Sequence, residues 1–251
     1  MDLGLIGKKA WVTGASQGLG LAIAQGLWRE GASLVLSSRS ESKLEKAKQL
    51  IARENGEGNI ELLPLDMLSP ASIAAAGAKI GPVDILIINT GGPAAGEALD
   101  ITLEDWDQGY QALLRSTIQL TQLVMPGMRA KKWGRILTIT STSARELIPR
   151  LPVSGVFRAG LTSWVKSVAK EVGRDNVLIN NLLPGATNTA RLTELQHSSP
   201  DFYHSMKERS ALGRLGEPEE IGHLAAFLCS TKNSFITGTD VLADGGSTSS
   251  L

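Results

Sequence analysis

Three glycines lie in the run Thr13-Gly14-Ala15-Ser16-Gln17-Gly18-Leu19-Gly20. An apolar stretch precedes them, and Leu19, Ile23 and Leu27 follow at helical spacing. Glycines between a buried strand and a helix start allow a tight turn, admit a ligand close to the backbone and bring helix near sheet. The first helical turn then offers free N–H groups and a partial positive charge, which suits a pyrophosphate. Gly14, Ser16, Gln17, Gly18, Leu19 and Gly20 are therefore the expected phosphate cradle of a dinucleotide. A second set of candidates closes the next apolar run, Leu36-Ser37-Ser38-Arg39-Ser40. A carboxylate there would bond the ribose hydroxyls of NAD and repel a 2′-phosphate. None stands there, because Glu41 belongs to the following helix. Arg39 offers a planar cation with the Ser38 hydroxyl beside it, so the expected cofactor is NADP, with NAD less favoured.

The elements that must hold these residues alternate. Short apolar runs at 9–13, 34–37, 60–64, 85–89, 135–140, 177–183 and 240–243 read as strands. Helical spacing covers 18–30, 41–54, 71–78, 153–172 and 218–228, and a long helix over 102–130 is expected to break or end near Pro126. Such alternation predicts an α/β fold: a Rossmann-like, doubly wound parallel sheet of about seven strands with helices on both faces. Length favours a single domain over residues 1–251. The stretch 190–214 reads as one long irregular insertion and a candidate substrate lid.

Composition narrows the class. The 25 basic and 25 acidic side chains cancel, against the basic excess of a nucleic-acid binder and with little pull towards an anionic membrane. No run approaches the roughly 20 apolar residues of a membrane helix. The one cysteine, Cys229, follows an apolar run and reads as a buried, inert thiol. A cytoplasmic protein acting on a small molecule is the expectation. No His/Cys/Asp/Glu cluster has metal-ligand spacing, so no metal is expected.

Further motifs follow in order: Leu65-Asp66-Met67, Asn89-Thr90-Gly91-Gly92, Pro184-Gly185 with Thr187 and Thr189, Arg214-Leu215-Gly216-Glu217-Pro218-Glu219-Glu220, Phe235-Ile236-Thr237-Gly238 and Asp244-Gly245-Gly246. With the glycine loop, they resemble the short-chain dehydrogenase/reductase family over nearly the whole chain, in particular its 3-oxoacyl-ACP-reductase-like members. The resemblance implies that Asp66 and Met67 lie against the adenine and that Asn89 and Gly91 follow the fourth strand. It implies that Pro184, Gly185, Thr187 and Thr189 hold the carboxamide. It also implies a homotetramer or homodimer built through the long helices and the last strand.

The family's reaction centre uses a serine, a tyrosine, a lysine four residues later and an asparagine on the long helix. Ser141 matches the serine. Register on Ala159-Gly160-Leu161 puts Ser154 at the tyrosine position and Arg158 at the lysine position, and register on Trp106 puts Leu113 at the asparagine position. A serine hydroxyl is a far weaker acid than a tyrosine held near a cation. Arg158 keeps its charge and can bond ribose hydroxyls, but it cannot release a proton. The remaining candidate donors are Tyr110, Tyr203, His197 and His204, of which Tyr203 in the lid is the better placed; Lys166 and Lys170 stand at the wrong spacing. Two readings compete: an NADP-dependent oxidoreductase acting on a carbonyl or alcohol through Ser141, Ser154 and Arg158, or a catalytically inactive NADP-binding sensor or structural protein. Non-redox chemistry of the halohydrin type is disfavoured by the intact glycine loop.

Overall fold

The protein was described as a computed structural model, covering residues 1–56, 58–190, 192–193 and 200–250. Strands β1 (Lys9–Thr13), β2 (Ser33–Ser37), β3 (Ile60–Leu62), β4 (Ile85–Asn89), β5 (Gly134–Ile139), β6 (Val177–Pro184) and β7 (Asp240–Ala243) form one sheet. Their order is β3-β2-β1-β4-β5-β6-β7, every pairing parallel. Side chains alternate across it with the two-residue period of a strand. Ala10, Val12, Ile85 and Ile87 enter one apolar layer, while Trp11, Leu86 and Ile88 enter the other. Both faces are thus covered, which explains why β1 and β4 are unbroken apolar runs.

On one face pack α1 (Gly18–Arg29), α2 (Glu41–Ile51) and α8 (Pro218–Leu228), through Ile23, Leu27, Leu44, Ile51, Ile221 and Ala225. The other face carries α3 (Pro70–Ile80), α5 (Ser116–Lys131) and α6 (Pro152–Val172), through Ile73, Leu120 and Val165. Helices α1 and α8 touch backbone to backbone: a Cβ on Gly26 would lie 2.7 Å from the Gly222 carbonyl oxygen.

Three expectations are corrected. The long helix does not end near Pro126: α4 (Leu103–Gly109) passes into a π-helical stretch, Tyr110–Arg115, and then into α5, which continues through Pro126. Proline leaves the Gln122 carbonyl without its helical donor, but Gln122 and Pro126 are exposed, so water serves that oxygen. The stretch 190–214 is not wholly irregular, since it contains α7 (Pro200–Arg209). Pro200 opens that helix, Asp201 lies in its first turn, and Lys207 and Arg209 lie in its last, an order the helix dipole favours. Strand β3 stops at Leu62 rather than running to Pro64, which has no N–H for the ladder; Leu63 and Leu65 still donate to Leu36 and Ser38.

Ahead of α8, Arg214 grips Glu220 through two bonds of 2.8 Å, and the Glu217 amide donates to the same carboxylate. The bond from Arg214, then that from Glu217, holds the Glu220 carboxyl down at about 2. A depressed carboxyl contributes stability above its unfolded value and loses it as pH falls through the folded one. The melting temperature of the wild type should therefore drop more steeply from about pH 4.5 to 2 than that of Glu220→Gln. The pair is half exposed, so the effect is small.

Candidate functional site

The sheet order reverses between β1 and β4, and a crevice at their carboxyl ends is where open α/β sheets take ligands. The glycine loop leaves β1 there, and Asn89 and Gly91 leave β4. A brace of three bonds joins the two exits: Thr13 Oγ1 donates to the Asn89 carbonyl, accepts from the Asn89 amide, and Asn89 Nδ2 donates to the Gly14 carbonyl. Gly14 and Gly18 have φ of 60° and 58°. A Cβ on Gly20 would lie 2.2 Å from the Gly14 oxygen.

The residues present fit a bound pyrophosphate. Helices α2, α3 and α4 are capped by the Ser40, Ser69 and Thr102 side chains. Helix α1 has no side-chain cap and no acidic residue in its first turn. Its leading N–H groups stay available to an anion. Ser16 and Gln17 border them, Gln17 fully extended and exposed, and Leu19 packs against the core. A Cβ on Gly18 would lie 3.7 Å from the Thr189 methyl, so the loop after β6 faces the glycine loop across the crevice. Gly185, within that loop, donates to Ala243; Thr187 bonds the Gly185 carbonyl and pairs with Gly216, which ties the 184–189 loop to the 214–220 run.

Just after β2, Arg39 is exposed and bonded to no carboxylate among the described residues, and Ser38 stands beside it with its hydroxyl on the Ser40 carbonyl. Asp66 is fixed by the Ser72 hydroxyl, which accepts from its amide, and by its own bond to the Leu68 amide. The Met67 carbonyl accepts from Gln111, and Gly91 faces open space.

The reaction-centre candidates meet on the far side of β5. Ser141 caps a 3₁₀ turn, Thr142–Ala144, its hydroxyl accepting from the Ser143 amide at 3.1 Å. Ser154 and Arg158 stand one turn apart on α6, both buried. Arg158 Nε donates to Ser154 Oγ at 3.1 Å, and its Nη1 donates to the Ile139 carbonyl at 3.1 Å. Leu113 is 1% exposed within the π-helical stretch, an apolar side chain with nothing to anchor a water.

The other candidate donors lie elsewhere. Tyr203 is buried in a separate apolar cluster with Leu192 and Leu215, its ring against His204 and beneath the Lys207 ammonium. Tyr110 is exposed and packs on Phe157. His204, Lys166 and Lys170 are exposed. His197 lies outside the described residues. Cys229 is buried, and burial pushes its thiol up to about 12. Among the described residues no group of acidic, histidine or cysteine side chains is placed to hold a metal.

Two features escaped the sequence. Ser143 Oγ sits 2.9 Å from Ser154 Oγ. Arg145, closing the same 3₁₀ turn, donates to Asp240, a carboxylate only 1% exposed that also accepts from Thr162 and Asn181. The serine-rich run at 141–143 was a visible signal; the approach of the two hydroxyls across eleven residues was not.

A family model described as enoyl-(acyl carrier protein) reductase matches residues 14–248. The chain is a short-chain dehydrogenase/reductase. Among its family relatives, the bovine dehydrogenase/reductase SDR family member 4 is 33% identical over 97% of this chain and 88% of its own length. A 3-oxoacyl (acyl-carrier-protein) reductase from Agrobacterium tumefaciens C58, solved with NADP bound, is 32% identical with a TM-score of 0.91, covering 98% of this chain and 96% of that one. The L-sorbose reductase of Gluconobacter frateurii, solved with NADPH and L-sorbose, is 28% identical with a TM-score of 0.92 over all of both chains. Among the described residues no helix is long and apolar enough to cross a membrane.

Proposed function

We propose that this short-chain dehydrogenase/reductase is an NADP-dependent oxidoreductase that reduces a carbonyl compound. The observation that carries the reading is the uncapped α1 terminus, framed by Gly14, Gly18 and Gly20 and faced by Thr189. When bound, the reduced nicotinamide supplies the hydride. The chain's own residues do the rest. Arg39, with Ser38, takes the 2′-phosphate. Asp66 and Met67 border the adenine, Asn89 and Gly91 the ribose side, and Pro184, Gly185, Thr187 and Thr189 the carboxamide. Ser141 and Ser154 offer hydroxyls to the carbonyl oxygen. The Arg158 cation, buried beside Ser154, stabilises negative charge developing there and bonds the nicotinamide ribose in this reading. None of these three groups titrates near neutrality. The oxyanion is therefore held by hydrogen bonds rather than protonated by a side chain, and its proton comes from water. In this reading residues 1–251 form one unit in the cytoplasm, and the 190–214 stretch, of which 191 and 194–199 lie outside the described residues, contributes α7 to a lid over the substrate. Copies associate as a homotetramer or homodimer through the exposed apolar side chains at Phe235 and Leu242, beside and on β7, and at Leu103 and Val156 on the long helices.

Titrating NADPH and NADH into the protein, followed by nicotinamide fluorescence, tests the cofactor. Arg39→Ala should weaken NADPH about tenfold, the value of one exposed charge-assisted bond of about 1.5 kcal/mol, and leave NADH nearly unchanged. Equal loss for both nucleotides would remove Arg39 from the 2′-phosphate. A panel of ketones, α-keto esters and α-diketones, read by nicotinamide absorbance, tests the reaction. The presence of Ser154, Arg158 and Leu113 where the family has tyrosine, lysine and asparagine favours one second reading, an inactive NADP-binding sensor. Tight NADPH binding with no turnover of any carbonyl would decide for it.

A further inference from the structure

The geometry points to Ser143 as a positioning residue that braces the oxygens of both candidate reaction-centre hydroxyls, Ser141 and Ser154. The inference rests on the oxidoreductase reading for its catalytic consequence, and on hydrogen-bond accounting for its structure. A serine oxygen has two lone pairs and one proton. Ser143 is 5% exposed and Ser154 is 4% exposed, so neither can leave a proton unpaired without cost. Ser143 Oγ lies 2.9 Å from Ser154 Oγ, with either hydroxyl able to donate. Arg158 Nε–H donates to Ser154 Oγ at 3.1 Å. Ser154 Oγ is thus held by two partners, the Ser143 hydroxyl and the Arg158 cation.

The same residue acts on the other hydroxyl. The Ser143 amide donates to Ser141 Oγ at 3.1 Å, which occupies one lone pair there. Ser143 is itself immobile, because the turn that carries it ends at Arg145, held by the buried Asp240 carboxylate. Two partners on Ser154 Oγ fix its position, and the Arg158 cation draws electron density from it, which makes its proton a stronger hydrogen-bond donor. A serine so held meets part of what a tyrosine beside a lysine would provide, without ionising.

The consequence is separable from fold and from nucleotide binding. Ser143→Ala removes one partner of Ser154 Oγ and keeps the amide that bonds Ser141. The lost bond lets the Ser154 hydroxyl turn and loosens its oxygen against Arg158. In the NADPH complex, with an α-keto ester or α-diketone from the panel as substrate, kcat should fall about tenfold to a hundredfold. The KM and the NADPH dissociation constant should stay within about twofold, since the residue touches neither ligand. Ser143→Thr, which keeps the hydroxyl, should restore most of kcat. A second measurement needs no substrate: the Nε–H resonance of Arg158, assigned by its disappearance in Arg158→Lys, should exchange slowly with water in the wild type and several-fold faster in Ser143→Ala. If no carbonyl is reduced by the wild type, the oxidoreductase reading fails alone and the exchange rate still decides the positioning role. Unchanged exchange in Ser143→Ala overturns the proposal, as does an active enzyme whose kcat that substitution leaves intact.

Discussion

Gly20→Ala should raise the NADPH dissociation constant on the order of a hundredfold and lower unfolding stability by about 1–3 kcal/mol. One added methyl produces both effects. It would stand 2.2 Å from the Gly14 carbonyl oxygen and 2.8 Å from Asn89 Nδ2, closer than atoms approach without bonding. Neither neighbour can yield cheaply. Gly14 is held by Asn89, and Asn89 is held in turn by Thr13. The start of α1 must therefore lift away from the β1 exit. Its leading N–H groups then miss the phosphates, and losing two charge-assisted bonds of about 1.5 kcal/mol each gives the expected weakening. Gly127→Ala is the matched control, because on α5 a Cβ meets no atom within 4 Å. That variant should bind NADPH normally and gain up to about 1 kcal/mol of stability from the stiffer unfolded chain. Fluorescence titration and thermal melting measure both variants. A Gly20→Ala protein that binds NADPH like the wild type would remove the glycine loop as the phosphate site.

What was legible in the sequence is what depends on neighbours along the chain. The strands at 9–13 and 85–89 were readable because a strand buried on both faces must be apolar throughout. The Gly14–Gly18–Gly20 spacing was readable because turn, helix start and close approach each demand glycine at a fixed offset. Less legible was whatever tertiary partners decide. Helix α7 is mostly polar, and among the described residues Tyr203 and Met206 turn towards its apolar cluster, so its periodicity is weak. Pro126 marked a break that solvent made unnecessary. The π-helical stretch carries no composition signal. It lies where Gly109 meets Val153, with only 2.3 Å for a Cβ, and where the Ser116 and Thr117 hydroxyls take the Ala112 and Leu113 carbonyls. Within the candidate reaction centre, register on short motifs pointed to Ser141, Ser154 and Arg158 but not to Ser143. Its role exists only because the turn after β5 folds onto the start of α6.

Arg158→Met should cost about a hundredfold to a thousandfold in kcat on any carbonyl the wild type reduces, because it removes the one cation, among the described residues, bonded to the candidate reaction-centre hydroxyls. The stability change is smaller. Losing Nη1 leaves the Ile139 carbonyl short of a donor, worth about 1–3 kcal/mol, while removing a buried cation offsets part of that. Arg158→Lys separates charge from geometry. An ammonium keeps the charge but concentrates its donors on one atom, and it cannot reproduce a fork that serves Ser154 and Ile139 together. About a tenfold loss is expected for it, provided Ser154 remains a serine. Combining it with Ser154→Tyr changes the kind of chemistry. Among the described residues the candidate reaction-centre side chains are serines and an arginine, which do not ordinarily exchange protons near neutrality, so the wild-type kcat should be flat between about pH 6 and 9. A tyrosine beside a lysine introduces an acid whose ordinary value near 10 the cation lowers, so reduction by the double variant should slow as pH rises through it. A flat wild-type profile with a sloping double-variant profile would establish catalysis by held hydroxyls. If instead the wild type is inert and only the double variant turns over, the cradle binds NADP in a protein that has given up the reaction, and the sensor reading takes its place.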